Sequence, residues 1–282
     1  MGTLYLVATP IGNLEDITLR ALRILREVKL VAAEDTRHTH KLLAHYQITT
    51  PTLSYHEHNK ISRLDEILNA LRQGDVALVS DAGTPALNDP GFELVKAALQ
   101  AGYTVSPIPG PSAPIAALIS SGLPTDAFLY LGYLPRKPVE RRKSLAELVD
   151  IPYTLIFLET PHRLLSSLSD LLETLGDRPI CLARELTKLH EEIWRGSMSL
   201  AQAHYQIQAP RGEFTLVVGG KQTVQKRYSE EEIKEAILEG LVQDRSPAQL
   251  AAQLAAASDW PRRKLYHLIT ELQSSQNRSD EA

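Results

Sequence analysis

The feature that most constrains this chain is a pattern repeated along residues 1–122. A short apolar run is followed by a loop rich in glycine, proline or charge, then an amphipathic stretch, then another apolar run. A parallel strand needs a crossover, usually a helix, before the next strand can start, so this alternation predicts an α/β fold with a mainly parallel sheet. Leu4 to Thr9 is an apolar run closed by Pro10 and Gly12, and Thr18 caps a helix that buries Leu19, Leu22, Ile24 and Leu25. Leu30 to Ala33 is a second strand ending in the polar cluster Glu34-Asp35-Thr36-Arg37, with a helix through Leu42, Leu43 and Tyr46 behind it. A short strand at Thr52 to Tyr55 precedes a predicted helix from Asn59 to Gln73, whose Ile61, Leu64, Ile67, Leu68 and Leu71 fall at helical spacing before Gly74. Val76 to Ser80 runs into Asp81-Ala82-Gly83-Thr84-Pro85. After a helix from Phe92 to Gln100, Thr104 to Ile108 runs into Pro109-Gly110-Pro111-Ser112, which opens a helix ending near Gly122.

A linker around Ser120 to Thr125 leads to a second α/β block. Its predicted strands are Phe128 to Tyr133, Thr154 to Leu158, Pro179 to Ala183 and Glu213 to Val218, with helices at about 138–149 and 163–175. Past Gly219-Gly220 and the polar run Lys221 to Arg227, the sequence is wholly helical: Ser229 to Leu241, Ser246 to Ala257 and Pro261 to Leu272. Ser229 and Glu232 fit a capping box, and Ser246-Pro247 fits a cap with proline at the first helical position. The expected organisation is therefore an α/β domain over 1–120, a second over 121–222, and a small helical, helix-turn-helix-like domain over 228–282.

Composition removes several classes. At 282 residues there is chain for about two domains. The single cysteine, Cys181, forms no internal disulfide and no multi-cysteine zinc site, which points to a reducing compartment. The first residues, MGTLYLVATP, lack a basic segment followed by a long apolar one, and no window approaches a membrane span. The expectation is a soluble cytoplasmic protein without membrane partners. A net charge of −4 argues against a generic polyanion binder and requires any nucleic-acid reading to name a local basic patch.

In an open parallel sheet, ligands bind at the carboxyl ends of the strands. That rule gathers the loops Pro10 to Asn13, Glu34 to Arg37, Asp81 to Pro85 and Pro109 to Ser112 on one edge. No G-x-G-x-x-G follows the first strand and no P-loop exists. Gly110-Pro111-Ser112-Ala113-Pro114 misses a nucleophile elbow at its last position. His38, His40, His45, His56 and His58 crowd one region, but spacing alone supplies no set of converging ligands, so no metal is expected.

The residues also carry a resemblance. Leu4 to Leu14, Ala33 to Arg37, Ser54-Tyr55-His56-Glu57-His58-Asn59, Ser80 to Pro85, Pro109 to Ala113, Glu159-Thr160-Pro161-His162-Arg163, Arg184 to Lys188 and Gly212 to Thr215 follow one another in order over nearly all of residues 1–220. Together they resemble the bacterial ribosomal RNA methyltransferases of the tetrapyrrole methylase superfamily, specifically those that methylate the ribose 2′-hydroxyl of a cytidine in the decoding region of the small subunit. The resemblance implies a homodimer, a small-subunit ribosomal RNA substrate, and S-adenosylmethionine bound between the two α/β domains. Its cofactor positions fall on Pro10, Ile11, Asp81, Gly83, Thr84, Leu87, Ser112 and Ala113, with second-domain contacts near Leu158 and Thr215. Tetrapyrrole enzymes carry Gly-Asp-Pro where this chain has Gly83-Thr84-Pro85, a departure that argues against a porphyrinoid substrate.

A ribose hydroxyl attacks well only as its proton leaves, so a positioned base is sought. Glu34 and Asp35 are candidates for base or ribose orientation, with Arg37 on a phosphate or carboxylate; an Arg–carboxylate structural network explains the same residues. Arg184, Glu185 and Lys188 form an alternative acid-base and phosphate group in the second domain. The basic patch is Arg136-Lys137, with Arg141, Arg142 and Lys143, beside Tyr130 and Tyr133 for base stacking; Arg262, Arg263 and Lys264 are a second candidate contact. Two other readings stay open at this point: a methylase of a small molecule or protein on the same scaffold, and a non-catalytic ribosome-binding factor.

Overall fold

The computed structural model describes residues 2–221, 228–242 and 246–279, so the run Gln222 to Arg227 lies outside the described residues. The chain forms two compact units, Met1–Lys221 and Gln222–Ala282. The first unit holds two sheets. Strands β1 (Thr3–Val7), β2 (Leu30–Ala33), β3 (Thr52–Ser54), β4 (Val76–Val79) and β5 (Thr104–Ile108) are all parallel, in the order β3-β2-β4-β1-β5. Helices α1 (Leu19–Glu27) and α2 (Thr36–His45) cover one face; α3 (Leu64–Gln73) and α4 (Phe92–Gln100) cover the other.

Strand periodicity of two explains the sorting. Val31, Ala33, Ala77 and Val79 pack with Leu22, Leu25 and Leu43, whereas Ala32, Val76 and Leu78 pack with Ile67, Leu71 and Leu94. With both faces covered, the strands read as continuous apolar runs, and each buried leucine contributes about 1.5–3 kcal/mol. Pro107 sits in β5, an edge strand, where a missing N–H costs no ladder bond to a further neighbour. β1 and β4 are adjacent, but α1 leaves β1 for one face and α4 leaves β4 for the other, so their loops part at the carboxyl edge. That divergence opens the crevice where such sheets bind ligands.

The second sheet contains β6 (Phe128–Tyr133), β7 (Thr154–Glu159), β8 (Pro179–Arg184), β9 (Glu192–Ser197) and β10 (Phe214–Val218), ordered β6-β7-β10-β8-β9. Only β6 and β7 run parallel; the other pairs are antiparallel. Helix α5 (Ala113–Ser121) packs on one face through Ala117 and Leu118. Helices α6 (Pro138–Ala146), α7 (Pro161–Leu175) and α8 (Met198–Ile207) cover the other, around Leu145, Leu168, Ala201 and Phe157. In the second unit, α9 (Glu230–Val242), α10 (Pro247–Ala257) and α11 (Arg262–Ser279) enclose Ile233, Ile237, Leu250 and Leu265. The capping box forms as expected: the Ser229 N–H donates to Glu232 Oε2 at 2.8 Å and the Glu232 N–H to Ser229 Oγ at 3.2 Å. No described helix is long and apolar enough to cross a membrane.

The structure departs from expectation in four places, the first being Leu19, expected on the buried face of α1 but 86% exposed, while Ala21 takes its place in the core. The helix expected from Asn59 begins at Leu64, because the Asn59 side chain closes a turn instead, accepting from the His56 N–H at 2.8 Å and donating to the Ser54 carbonyl at 3.1 Å. Strand β9 and helix α8 have no counterpart in the sequence reading. The basic segment also changes meaning: Arg141 is 3% exposed and its guanidinium is bound to Asp170 at 2.5–2.6 Å, so it belongs to the α6–α7 contact and offers RNA nothing. Arg142 remains partly exposed, with one bond to Asp170 at 3.1 Å.

Candidate active site

A cavity of about 270 Å³ lies where the carboxyl-end loops of the first sheet face the second sheet. Of the positions expected to hold the cofactor, Ile11, Asp81, Gly83, Thr84, Leu87, Ser112, Ala113, Leu158 and Thr215 all line it, and Pro10 does not. Three devices, two of backbone and one of a side chain, hold this wall. Thr9 and Gly83 exchange N–H···O bonds of 2.9 and 3.0 Å, tying the β1 loop to the β4 loop. Thr84 Oγ1 donates to the Pro111 carbonyl at 3.3 Å, tying the β4 loop to the one after β5. Gly83 has φ +78°, a conformation that disfavours any side chain. At Gly12 the constraint is space, since a Cβ there would collide with the side chains of Lys188 and Thr187. The first loop thus packs directly on the segment after β8.

Helix α5 starts at the cavity, and its N-cap residue Ser112 makes no side-chain capping bond. The first-turn N–H groups therefore have no side-chain acceptor, the arrangement that suits a carboxylate or phosphate.

The acidic residues after β2 and β4 are cross-linked. The Asp81 N–H donates to Glu34 Oε2 at 3.3 Å, and the Asp35 N–H donates to Asp81 Oδ1 at 3.0 Å. Glu34, Asp81 and Asp89 line the cavity, whereas Asp35 and Arg37 do not. Burial first, then the charge of Asp89, pushes the Glu34 carboxyl above its ordinary value, against the pull of the Asp81 N–H. Burial likewise raises Asp89, with Asp81 adding to the effect. Asp35 has the opposite environment. It caps α2 and accepts from the Arg37 N–H at 2.8 Å, Arg37 Nε at 3.1 Å and Arg37 Nη2 at 2.7 Å. Hydrogen bonds from Arg37 hold its carboxyl far below the usual range. The Glu34-Asp35-Arg37 trio is therefore split into a cavity carboxyl and an exposed helix-capping pair.

From the second sheet, Lys188 lines the cavity and binds Glu185 Oε1 at 3.0 Å and Glu213 Oε2 at 2.9 Å. Burial works against the Lys188 ammonium, but these two carboxylates outweigh it and raise its pKa. Burial pushes Glu185 up, yet the Glu213 N–H and Lys188 outweigh it and lower its pKa. Glu185 itself does not line the cavity, and Arg184 turns away to Glu192 at 2.9 Å.

Sequence reading assigned no site role to Asp89, Asn88, Pro114 or Phe214, all of which line the cavity. The Asn88-Asp89-Pro90 string in a Gly/Pro-rich loop is the signal for the first two. Tyr130 and Tyr133, expected beside the basic patch, stand in the cavity wall, where burial pushes Tyr130 up to about 12. Among the described residues no three His, Cys, Asp or Glu side chains come together as a metal site.

Known proteins were compared with the chain. The family description Tetrapyrrole (Corrin/Porphyrin) Methylases matches residues 3–201. A Synechocystis protein named Ribosomal RNA small subunit methyltransferase I is 50% identical over 278 residues, 97% of this chain and 99% of that protein. Its Thermotoga maritima namesake is 49% identical over 223 residues, 79% of this chain and 100% of the relative. Among solved structures, uroporphyrin-III C-methyltransferase from Thermus thermophilus, complexed with S-adenosyl homocysteine, shares the fold with a TM-score of 0.53 at 22% identity, covering 77% of this chain and 97% of that one. From the family match and relatives half identical along nearly its whole length, this chain belongs to the tetrapyrrole (corrin/porphyrin) methylase family, among its ribosomal RNA small subunit methyltransferase I members.

Proposed function

We propose that this chain transfers a methyl group from S-adenosylmethionine to small-subunit ribosomal RNA, and that the acceptor is the ribose 2′-hydroxyl of a cytidine in the decoding region of the assembled subunit. The observation that carries this reading is the 50% identity, along 97% of the chain, to a protein named for methyl transfer to that RNA. The cavity's donor set fits the cofactor. The first turn of α5 offers N–H groups for the carboxylate, and Ile11, Leu87 and Leu158 offer apolar surface. Asp81 spends Oδ1 on the Asp35 N–H, and its other oxygen serves a ribose diol. A fold relative holding S-adenosyl homocysteine supports the same assignment. Bound there, the cofactor supplies a methyl carbon on a positively charged sulfur.

The chain's own work is positioning and proton removal. Glu34, whose pKa burial and then Asp89 raise, is the group placed to accept the hydroxyl proton. The bond the oxygen would form to the methyl carbon replaces the carbon–sulfur bond, with S-adenosylhomocysteine as the leaving group. Lys188, anchored by Glu185 and Glu213, holds an anionic group of the bound ligands at the opposite wall. Residues 1–120 and 121–222 act as the two halves of the site, and 228–282 as an accessory unit. A relative matched over its full length by 79% of this chain supports placing the chemistry outside the helical unit. The exposed Ile115 and Ile119, one helical turn apart on α5, support a homodimer, and the cytoplasm is where its ribosomal substrate resides.

The test is transfer of labelled methyl from S-adenosylmethionine to small subunits from cells lacking this protein, with protein-free RNA and a porphyrinoid as competing acceptors. Label in the subunit's RNA is expected. Label only in the porphyrinoid overturns the reading.

A further inference from the structure

The segment Glu159-Thr160-Pro161-His162-Arg163 plays no part in the chemistry above, yet it helps to build a second cavity, next to the first. Tyr133 lines both, so the two spaces meet at one aromatic ring, which is 52% exposed. The floor is a built structure. Glu159, 2% exposed, accepts from the Thr160 N–H at 2.8 Å and from Ser167 Oγ at 2.5 Å, and lies 3.4 Å from Arg163 Nε. Arg163 in turn donates through Nη2 to the carbonyls of Leu134 at 2.6 Å and Pro135 at 3.2 Å, fixing the turn after β6. Arg163 is thereby committed to the scaffold.

Two basic side chains on the rim are not. Arg136 and His162 line this cavity, are exposed, and make no hydrogen bond or ion pair among those described. The first turn of α7 holds no acidic residue, and the buried Glu159 that precedes it lies 3.4 Å from Arg163 Nε. One guanidinium and one imidazole beside an exposed aromatic ring, next to the first cavity, match what single-stranded RNA requires: a cation and N–H donors for the phosphate and a π-face for the base.

We propose that this second cavity is a nucleotide subsite: it binds the nucleotide flanking the one methylated, with Arg136 and His162 on its phosphate and Tyr133 against its base. The inference rests on the RNA reading above and adds to it the site that sets which nucleotide enters the reaction cavity. The lining also includes Leu134 and Pro135, so a protein contact is the competing outcome, and the salt dependence of binding separates it from a phosphate contact.

The experiment uses the full chain with small subunits from cells lacking it. The double variant Arg136→Ala/His162→Ala should raise KM for the subunit about ten- to a hundredfold, the scale of one lost nucleotide contact, and lower the salt slope of binding by about one per phosphate released. Its Kd for S-adenosylmethionine, read by calorimetry, should match wild type and confirms folding. Arg136→Lys, which keeps the charge, should recover part of the loss. If wild-type protein methylates no RNA, the underlying reading fails and the subsite with it. If wild type methylates and the double variant keeps its KM and salt slope, the subsite alone is wrong. A raised KM with an unchanged salt slope also overturns it and indicates a protein contact instead.

Discussion

Replacing Glu34 by Gln separates a proton acceptor from a structural link between β2 and β4. The side chain keeps its length, and its carbonyl can still accept the Asp81 N–H that Glu34 accepts at 3.3 Å. The negative charge is lost, and with it the ability to take a proton. Single-turnover methyl transfer should fall by roughly two orders of magnitude or more, equivalent to at least about 2.7 kcal/mol of barrier. Stability should move the other way. A carboxyl whose folded pKa is raised above its ordinary 4.5 costs the folded state stability as pH climbs from that value through the raised one, so at neutral pH an uncharged Gln removes a penalty. The thermal midpoint of Glu34→Gln should equal or exceed that of wild type. The wild-type rate should rise with pH through the raised Glu34 pKa. Asp89→Asn should shift that acid limb to lower pH by removing the second-largest cause of the shift, and Glu34→Gln should abolish it. Rapid-quench transfer of labelled methyl across a pH series reads all three. A folded Glu34→Gln protein that transfers at the wild-type rate refutes the assignment.

Gly83→Val should weaken S-adenosylmethionine binding at least about tenfold by calorimetry, since a β-branched residue at φ +78° is strained by about 1–3 kcal/mol even though its Cβ would meet only Ile11 at 3.4 Å and Pro111 at 3.8 Å. Arg141→Ala should cost about 3–5 kcal/mol in denaturant unfolding by leaving Asp170 buried without its main partner. Arg142→Ala with Lys143→Ala should cost less than about 1 kcal/mol while weakening subunit binding. Asp35 contributes stability above its ordinary 3.8 that is lost as pH falls through the lowered folded value, so Asp35→Asn should flatten acid unfolding between those limits and leave methyl transfer near the wild-type rate.

The first sheet was legible because both its faces are buried: Val31 to Ala33 and Val76 to Val79 are unbroken apolar runs, and the Gly/Pro loops behind them mark the ligand edge. Strand β9 escaped notice because it is an edge strand reading Glu-Ile-Trp-Arg-Gly-Ser, with no residue fully buried. Helix α8 had a findable signal in Ser197 as N-cap, bonded to the Leu200 N–H at 3.4 Å, followed by buried Met198, Ala201 and Tyr205. Site chemistry was harder to read. Neighbours in sequence, Glu34 and Asp35, point to different environments: burial and then the distant Asp89 raise the first, and the local Arg37 lowers the second. Likewise nothing in the run Arg141-Arg142-Lys143 announces that its first member is buried against Asp170; that follows from how α6 lies on α7.

The most direct test of the proposed reaction is to find where the methyl group goes. Small subunits from cells lacking this protein, incubated with it and isotopically labelled S-adenosylmethionine, can be digested to nucleosides and to mapped fragments for mass spectrometry. The expected result is one additional methyl per subunit, on the ribose 2′-oxygen of a single cytidine in the decoding region, formed at least about a hundredfold more slowly with Glu34→Gln. Label on a base, on a ribosomal protein or on RNA outside that region contradicts it.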